Sequence, residues 1–349
     1  MERATRAAYS AVMWLVRPLL RLKLARRARA EPGYGEAVEQ RFGHYAFAPP
    51  GPGYVWLHAV SLGETRAAVA LIARLRERLP GMRLLLTSGT ATGRAEAERL
   101  LAPGDLQVWQ PWDTPGAAQR FLEHFKPRIG VLMETEIWPN LCAACERAGI
   151  PLVLANARMS EKSFRRTEPF AWLARPAYRS LAAVWAQTEA DADRLRRLGA
   201  PVAGVFGNLK FDAEPSPQQL AAGRAVRAAS DRPIVMFASS REGEELLLVQ
   251  YLKQKWPSPL VSNGFSAINI VVSNIQWLIV PRHPQRFDQV AQLIARQGFS
   301  VARRSEWSGQ GATPPPADIW LGDSLGEMAL YYGMSDVALL GGSFEPLGG

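Results

Sequence analysis

From residue 54 onward the chain alternates short, nearly unbroken apolar runs with stretches whose apolar positions recur at helical spacing. The runs 54–58, 83–88, 106–110, 128–134, 151–157, 182–187 and 202–208 read as buried strands. Residues 65–79, 92–101 and 114–125 carry the helical repeat between the first of them. A second alternation follows, with apolar runs at 233–239, 276–282, 317–323 and 337–342 and helical patterns at 241–252, 286–298 and 326–335. Strands apolar at successive positions are buried on both faces, and the intervening helices supply the cover. The pattern therefore predicts two tandem α/β domains with parallel sheets, at 31–212 and 233–349. The polar residues 213–232 are expected to link them, and 302–316 to form a Pro-rich loop. Residues 253–275 shift to Ser, Asn and Lys and carry no functional reading. The chain stops at Gly349 after a glycine-rich turn where a further helix is expected, so the second domain reads as truncated.

Residues 1–30 stand apart. The apolar run 7–16 is shorter than the roughly 20 residues needed to span a bilayer, and Arg17 interrupts it. Arg17, Arg21, Lys23, Arg26, Arg27 and Arg29 follow it closely. An apolar run with Trp14 beside dense positive charge suits a helix lying on an anionic membrane; an ordinary packed first helix remains the alternative. The net charge of +9 fits an anionic partner. No nucleic-acid-binding motif accompanies it, and the basic residues gather beside the apolar run, which argues against nucleic acid. Cys142 and Cys145 form a lone CxxC on an apolar helical face, and read as core residues rather than half of a zinc site.

Chemistry-bearing side chains gather where strands end, the usual ligand side of an open α/β sheet. Ser61 and Glu64 form an S-x-x-E capping box, which accounts for both, yet Glu64 also stands where a general base would. The turn 87–92 is rich in hydroxyls and opens a helix, suiting a cap or an anion. Glu134 and Glu136 close the fourth strand; two such carboxylates suggest a perturbed pKa, a bound cation, or favourable charge at a helix start. Lys210 follows the last strand of the first domain. In the second domain, Pro281, Arg282, His283 and Arg286 follow a strand, and arginine suits phosphate. Leu325, Gly326, Glu327 and Met328 open a helix whose N–H groups suit a phosphate or a base. Gly341, Gly342 and Ser343 form a turn in which glycine permits close approach to a ligand. A helix cap accounts for most of these taken singly.

Taken in order, SLGE, TSGTATG, METEIWPN, ANARMSEKS, GNLKFD, REGEE, PRHPQRF, GEM and GGSFEPLGG resemble the Kdo (3-deoxy-D-manno-octulosonic acid) transferases of Gram-negative bacteria, from about residue 31 to the end apart from 253–275. The resemblance implies a GT-B fold, two Rossmann-like domains facing each other across a cleft. It implies transfer of Kdo, with inversion, from CMP-Kdo to a lipid A precursor at the cytoplasmic face of the inner membrane. The first domain would take the lipid and the second the nucleotide. It makes Glu64 the general base, with Glu134 and Lys210 supporting the transition state. It assigns Arg282, His283 and Gly326 to Met328 to CMP. In the family the GG turn is followed by a further glutamate-bearing segment and a long helix, which this chain lacks. No cofactor or metal is expected, since helix N-termini suit the phosphate. The competing expectations are another nucleotide-sugar enzyme of the same architecture, such as an epimerase, and a non-catalytic membrane-bound fragment.

Overall fold

The chain divides into two units, Met1–Ala213 and Glu214–Gly349. The computed structural model describes residues 2–212, 215–256, 273–307, 314–342 and 344. The first unit opens with helices α1 (Glu2–Leu15) and α2 (Arg17–Ala30). Seven strands follow: β1 (Val55–His58), β2 (Leu84–Ser88), β3 (Leu106–Trp109), β4 (Ile129–Met133), β5 (Leu152–Ala157), β6 (Ala183–Ala186) and β7 (Val202–Val205). Between them run α3 (Leu62–Arg78), α4 (Ala91–Glu98), α5 (Pro115–Phe125), α6 (Pro139–Arg147), α7 (Glu161–Thr167), α8 (Ala171–Arg179) and α9 (Glu189–Arg197).

All seven strands are parallel, in the order β3-β2-β1-β4-β5-β6-β7. The chain winds outward from β1 to β3, then returns to β4 on the other side of β1. The winding thus reverses between β1 and β4, and the carboxyl ends at such a reversal form the natural crevice for a ligand. Successive side chains face opposite ways. Trp56 joins Leu85, Leu132 and Leu154 on the α5 and α6 side, while Leu57 joins Leu84, Leu86 and Val131 on the α3 and α4 side. Full burial of such a side chain is worth roughly 1.5–3 kcal/mol, which explains the unbroken apolar runs. Cys142 and Cys145 are free thiols in the first of these cores.

The second unit has β8 (Ile234–Ser240), β9 (Gln276–Pro281), β10 (Val301–Arg303), β11 (Ile319–Leu321) and β12 (Val337–Leu340), with α10 (Pro217–Ala228), α11 (Glu244–Lys255), α12 (Phe287–Arg296) and α13 (Met328–Met334). Its strands are also parallel, in the order β10-β11-β9-β8-β12, and the winding reverses between β8 and β12.

Three expectations are corrected. The stretch 213–232 is not only a linker. Ser216 accepts the N–H of Gln219, Pro217 occupies the first turn, and α10 follows. Gly223 lets α10 lie directly on α13, where a Cβ would collide with the backbone of Leu330 and Gly333. The expected loop 302–316 contributes β10 and a turn of 3-10 helix, Arg304–Glu306, although 308–313 lie outside the described residues. Most of 253–275 also falls outside them, at 257–272. Finally, 1–30 is two helices broken at Val16, ahead of Pro18, where a proline cannot continue the ladder behind it. α1 packs on α6 and α8, and the Ser10 hydroxyl donates to Asn140 Oδ1 at 2.9 Å. Trp14, Leu15, Leu19 and Leu22 nevertheless remain exposed. No helix among the described residues is long and apolar enough to cross a membrane.

Candidate active site

The carboxyl ends of β1 and β4 carry the first cluster. Ser61 caps α3 by accepting the N–H of Glu64 at 3.4 Å. The Glu64 carboxylate in turn accepts the N–H of Val60 at 2.9 Å and the Ser61 hydroxyl at 3.2 Å. The cap expected from the sequence is therefore present, with the return bond taken from the residue before Ser61. Burial pushes the Glu64 carboxyl up to about 7, against the pull of the Val60 hydrogen bond. The charges of Glu134 and Glu136 add to that rise. Glu64 thus stands half-buried beside two other carboxylates and titrates near neutrality, as a proton acceptor should.

Glu134 takes up the left-handed region, φ +56°. Its N–H donates to Ala155 O and its carbonyl accepts the N–H of Arg158, so β5 and the chain beyond it hold this strained turn in place. Such strain costs on the order of 1–3 kcal/mol and persists where the surroundings over-determine it. The turn brings Glu134 Oε1 to 3.6 Å from Lys210 Nζ, so the cation beside the carboxylate pair is a lysine of the same unit. Glu136 makes no ion pair among the described residues, and burial pushes its carboxyl up. A carboxyl raised toward neutrality, a carboxylate paired with a lysine and that half-exposed ammonium thus share one end of the sheet.

Sequence reasoning missed the residues that place Lys210. Asn156 is buried and left-handed, φ +53°, and its Oδ1 accepts the N–H of Leu209 at 3.1 Å. Asn208 Oδ1 accepts the N–H of Lys210 at 3.0 Å. Asparagine tolerates that backbone region better than other side chains, which is the one available signal. Asp113 was missed too. Its buried carboxylate accepts the N–H groups of Asn140 and Leu141 at 3.1 and 2.8 Å, capping α6 where Trp138 offers no oxygen. Burial pushes it up to about 6 despite those bonds and one from Tyr9 of α1. The hydroxyl-rich turn 87–92 resolves into a cap, with Thr90 Oγ1 accepting the N–H of Gly93 at 3.1 Å.

The second unit is more structural than its sequence suggests. Arg282 and His283 follow the buried Pro281 and are exposed, and the Arg282 N–H is fixed on Ser240 O at 3.0 Å. Arg286, expected to suit phosphate, is committed elsewhere. Its two terminal nitrogens donate to the two oxygens of the buried Glu245 at 2.8 and 2.9 Å. Gly341 and Gly342 approach the protein itself. A Cβ on Gly341 would meet Ser240 Cα, Ser239 O and Glu244 Oε2, and the Glu244 carboxylate accepts the Gly342 N–H at 2.7 Å. Ser343 lies outside the described residues. Glu327 is likewise engaged, by Arg304 at 2.8 Å and by Ser324. Gly326 is left-handed, φ +79°, with its carbonyl held by Gln219; Leu325 is exposed and Met328 half-buried. What remains available for a ligand is Arg282, His283 and the backbone around 325–328.

Comparison with known proteins decides between these chemistries. The family model of the 3-deoxy-D-manno-octulosonic-acid transferases (Kdo transferases) matches residues 36–213. The chain is 42% identical to a 3-deoxy-D-manno-octulosonic acid transferase of Bordetella pertussis, in a match covering 99% of this chain and 79% of that protein. The chain belongs to the Kdo transferase family. A second member, from Haemophilus influenzae, is 30% identical, over 98% of this chain and 77% of that protein. This transferase also matches the fold of the UDP-GlcNAc 2-epimerase from Neisseria meningitidis, with a TM-score of 0.50, covering 82% of this chain and 77% of that one. At 13% identity that likeness speaks to fold alone: the GT-B architecture expected from the sequence. As a Kdo transferase the protein is a glycosyltransferase, and the epimerase expectation falls.

Proposed function

We propose that this glycosyltransferase moves Kdo, with inversion, from CMP-Kdo to a hydroxyl of a lipid A precursor, and that Glu64 is the general base. The observation that carries the assignment is Glu64 itself: a carboxyl held at the β1/β4 reversal, beside Glu134 and Lys210, and raised by burial to about 7. An alcohol attacking a sugar carbon must lose its proton as the new bond forms, and the acceptor of that proton works best when its pKa lies near the working pH. Attack from the face opposite the leaving CMP gives inversion. Lys210, fixed through Asn208 and paired with Glu134, supplies positive charge for the anion that develops. The second unit takes the nucleotide through Arg282, His283 and the backbone at 326–328. The test is mass analysis of the product formed from CMP-Kdo and a tetra-acylated lipid A precursor. A product lacking the added Kdo mass, from an otherwise folded protein, overturns the reading.

Three results are expected. First, kcat/KM should climb with pH and level off above about 7, since only the ionised form of Glu64 accepts a proton. A profile flat from pH 5 to 8 removes Glu64 from the titration. Second, Arg282→Ala should weaken CMP binding in calorimetry by roughly 1.5–3 kcal/mol, the worth of a charge-assisted contact, while leaving acceptor KM unchanged. Equal CMP affinity in parent and variant takes Arg282 out of the donor site.

The third concerns the anionic inner membrane, whose cytoplasmic side we propose as the location. Trp14, Leu15, Leu19 and Leu22 project from α1 and α2, and Lys23, Arg26 and Arg29 are exposed with no ion pair among the described residues. Arg21 is partly spent on Glu39, at 2.6 Å. Replacing the four apolar side chains by Glu should lower partition into anionic vesicles by about 10²-fold or more, at roughly 1 kcal/mol per inserted side chain. Unchanged flotation would make the two helices packing elements only.

A further inference from the structure

A pocket of about 390 Å³ opens in the first unit where α1, α6 and α8 meet. One wall is apolar: Ala143 of α6, and Trp172, Leu173 and Pro176 of α8. Three arginines line the rest: Arg6 of α1, Arg147 in the last turn of α6 and Arg179 in the last turn of α8. None of the three makes an ion pair or a side-chain hydrogen bond within the described residues, and Glu146 is the single acid in the lining. Two of them cap helix ends favourably, which accounts for their presence on their own helices. It does not account for three unpaired guanidiniums converging on one concavity with an apolar side. That combination is a receptor for an anionic amphiphile: guanidinium donors in a fork that matches phosphate oxygens, beside a surface that gains by leaving water. The same packing layer leaves Trp14, Phe170 and Trp172 exposed, as aromatic residues stand at a membrane interface.

We propose that this pocket binds an anionic phospholipid of the membrane, with the headgroup phosphate on Arg6, Arg147 and Arg179 and the start of the acyl chain against Trp172, Leu173 and Pro176. The proposal rests on the reading that the first unit lies against a membrane, and adds to it a specific lipid site apart from the Glu64 cluster. General attraction of exposed basic residues would accept any anionic surface, whereas a walled pocket holds one lipid at a time and saturates.

The probe is dihexanoylphosphatidylglycerol, kept below its micelle concentration and titrated into the full chain by calorimetry. Saturable one-site binding is expected. The Arg147→Ala, Arg179→Ala double variant keeps its fold, since both side chains are exposed, and should bind roughly 25-fold more weakly, at about fivefold per arginine. Inorganic phosphate should bind far more weakly than the lipid, because it leaves the apolar wall empty. Equal affinity in parent and double variant, or an uncharged short-chain lipid binding as tightly as the anionic one, overturns the proposal. Flotation with phosphatidylglycerol vesicles separates the two readings. Flotation without binding of the soluble lipid leaves the membrane reading standing and sinks the pocket. Binding of the soluble lipid without flotation does the reverse.

Discussion

Glu64→Gln should abolish most of the turnover while leaving the fold in place. The amide oxygen can still accept the Val60 N–H, and the amide nitrogen can donate to the Ser61 hydroxyl, which already accepts the residue's own N–H. What the substitution removes is the ability to take a proton. Loss of a general base is worth about 10²–10⁴ in rate, and it should fall on kcat with little change in either KM. The stability consequence has a definite sign. The folded state raises this carboxyl from 4.5 to about 7, so it binds protons more readily than the unfolded chain. Parental stability from this group is therefore greatest below pH 4.5 and is lost as pH rises through 7. The glutamine variant does not lose it. The two proteins should melt alike at low pH, with the variant the more stable above pH 7. A variant with near-normal turnover would return Glu64 to the role of a helix cap, and Glu134 would be the next carboxylate to test.

The elements that sequence pattern revealed are those whose burial forces a pattern. β1, β2 and β4 are apolar at nearly every position because helices cover both faces of the sheet. β10 escaped because its three residues, Val301 to Arg303, lie at the sheet edge and end in an arginine bonded to Asp323. α10 escaped because it buries little beyond Gly223 and Val226 against α13, so its composition stays polar and alanine-rich. Its start was legible in Ser216 and Pro217, a cap and a first-turn proline, had the polar stretch not been read as connection alone. The site divides in the same way. Glu64, Glu134 and Lys210 are visible as polar residues at strand ends, and their order along the chain resembles the family. Their meeting depends on the sheet order, which sets β4 beside β1, and on the left-handed turns at Glu134 and Asn156, which leave no periodic trace. The basic residues after β9 were legible as charge, but charge alone cannot distinguish a phosphate ligand from half of a buried pair.

Arg286 makes that distinction testable, and its removal should destabilise the second unit rather than cost a ligand contact. Glu245 is 1% exposed at its side chain and receives both terminal nitrogens of Arg286, with the Ser240 hydroxyl donating to the same carboxylate at 2.8 Å. Arg286→Ala leaves an ionised carboxylate buried with one neutral donor. Breaking a buried pair from one side costs about 3–5 kcal/mol, because the stranded charge keeps its desolvation penalty and loses its partner. The melting transition of the second unit should fall by roughly 10 °C. Glu245 opens α11 beside Glu244, whose carboxylate holds the Gly342 turn, so the loss should loosen that turn as well. Replacing both partners tells cause from consequence. Arg286→Met together with Glu245→Leu removes the charge and the guanidinium at once, and should recover most of the lost stability, since a buried pair exchanged for apolar side chains of similar volume is often neutral. If Arg286 instead contacted phosphate, the single variant would melt like the parent and lose affinity for CMP, and the double variant would rescue nothing.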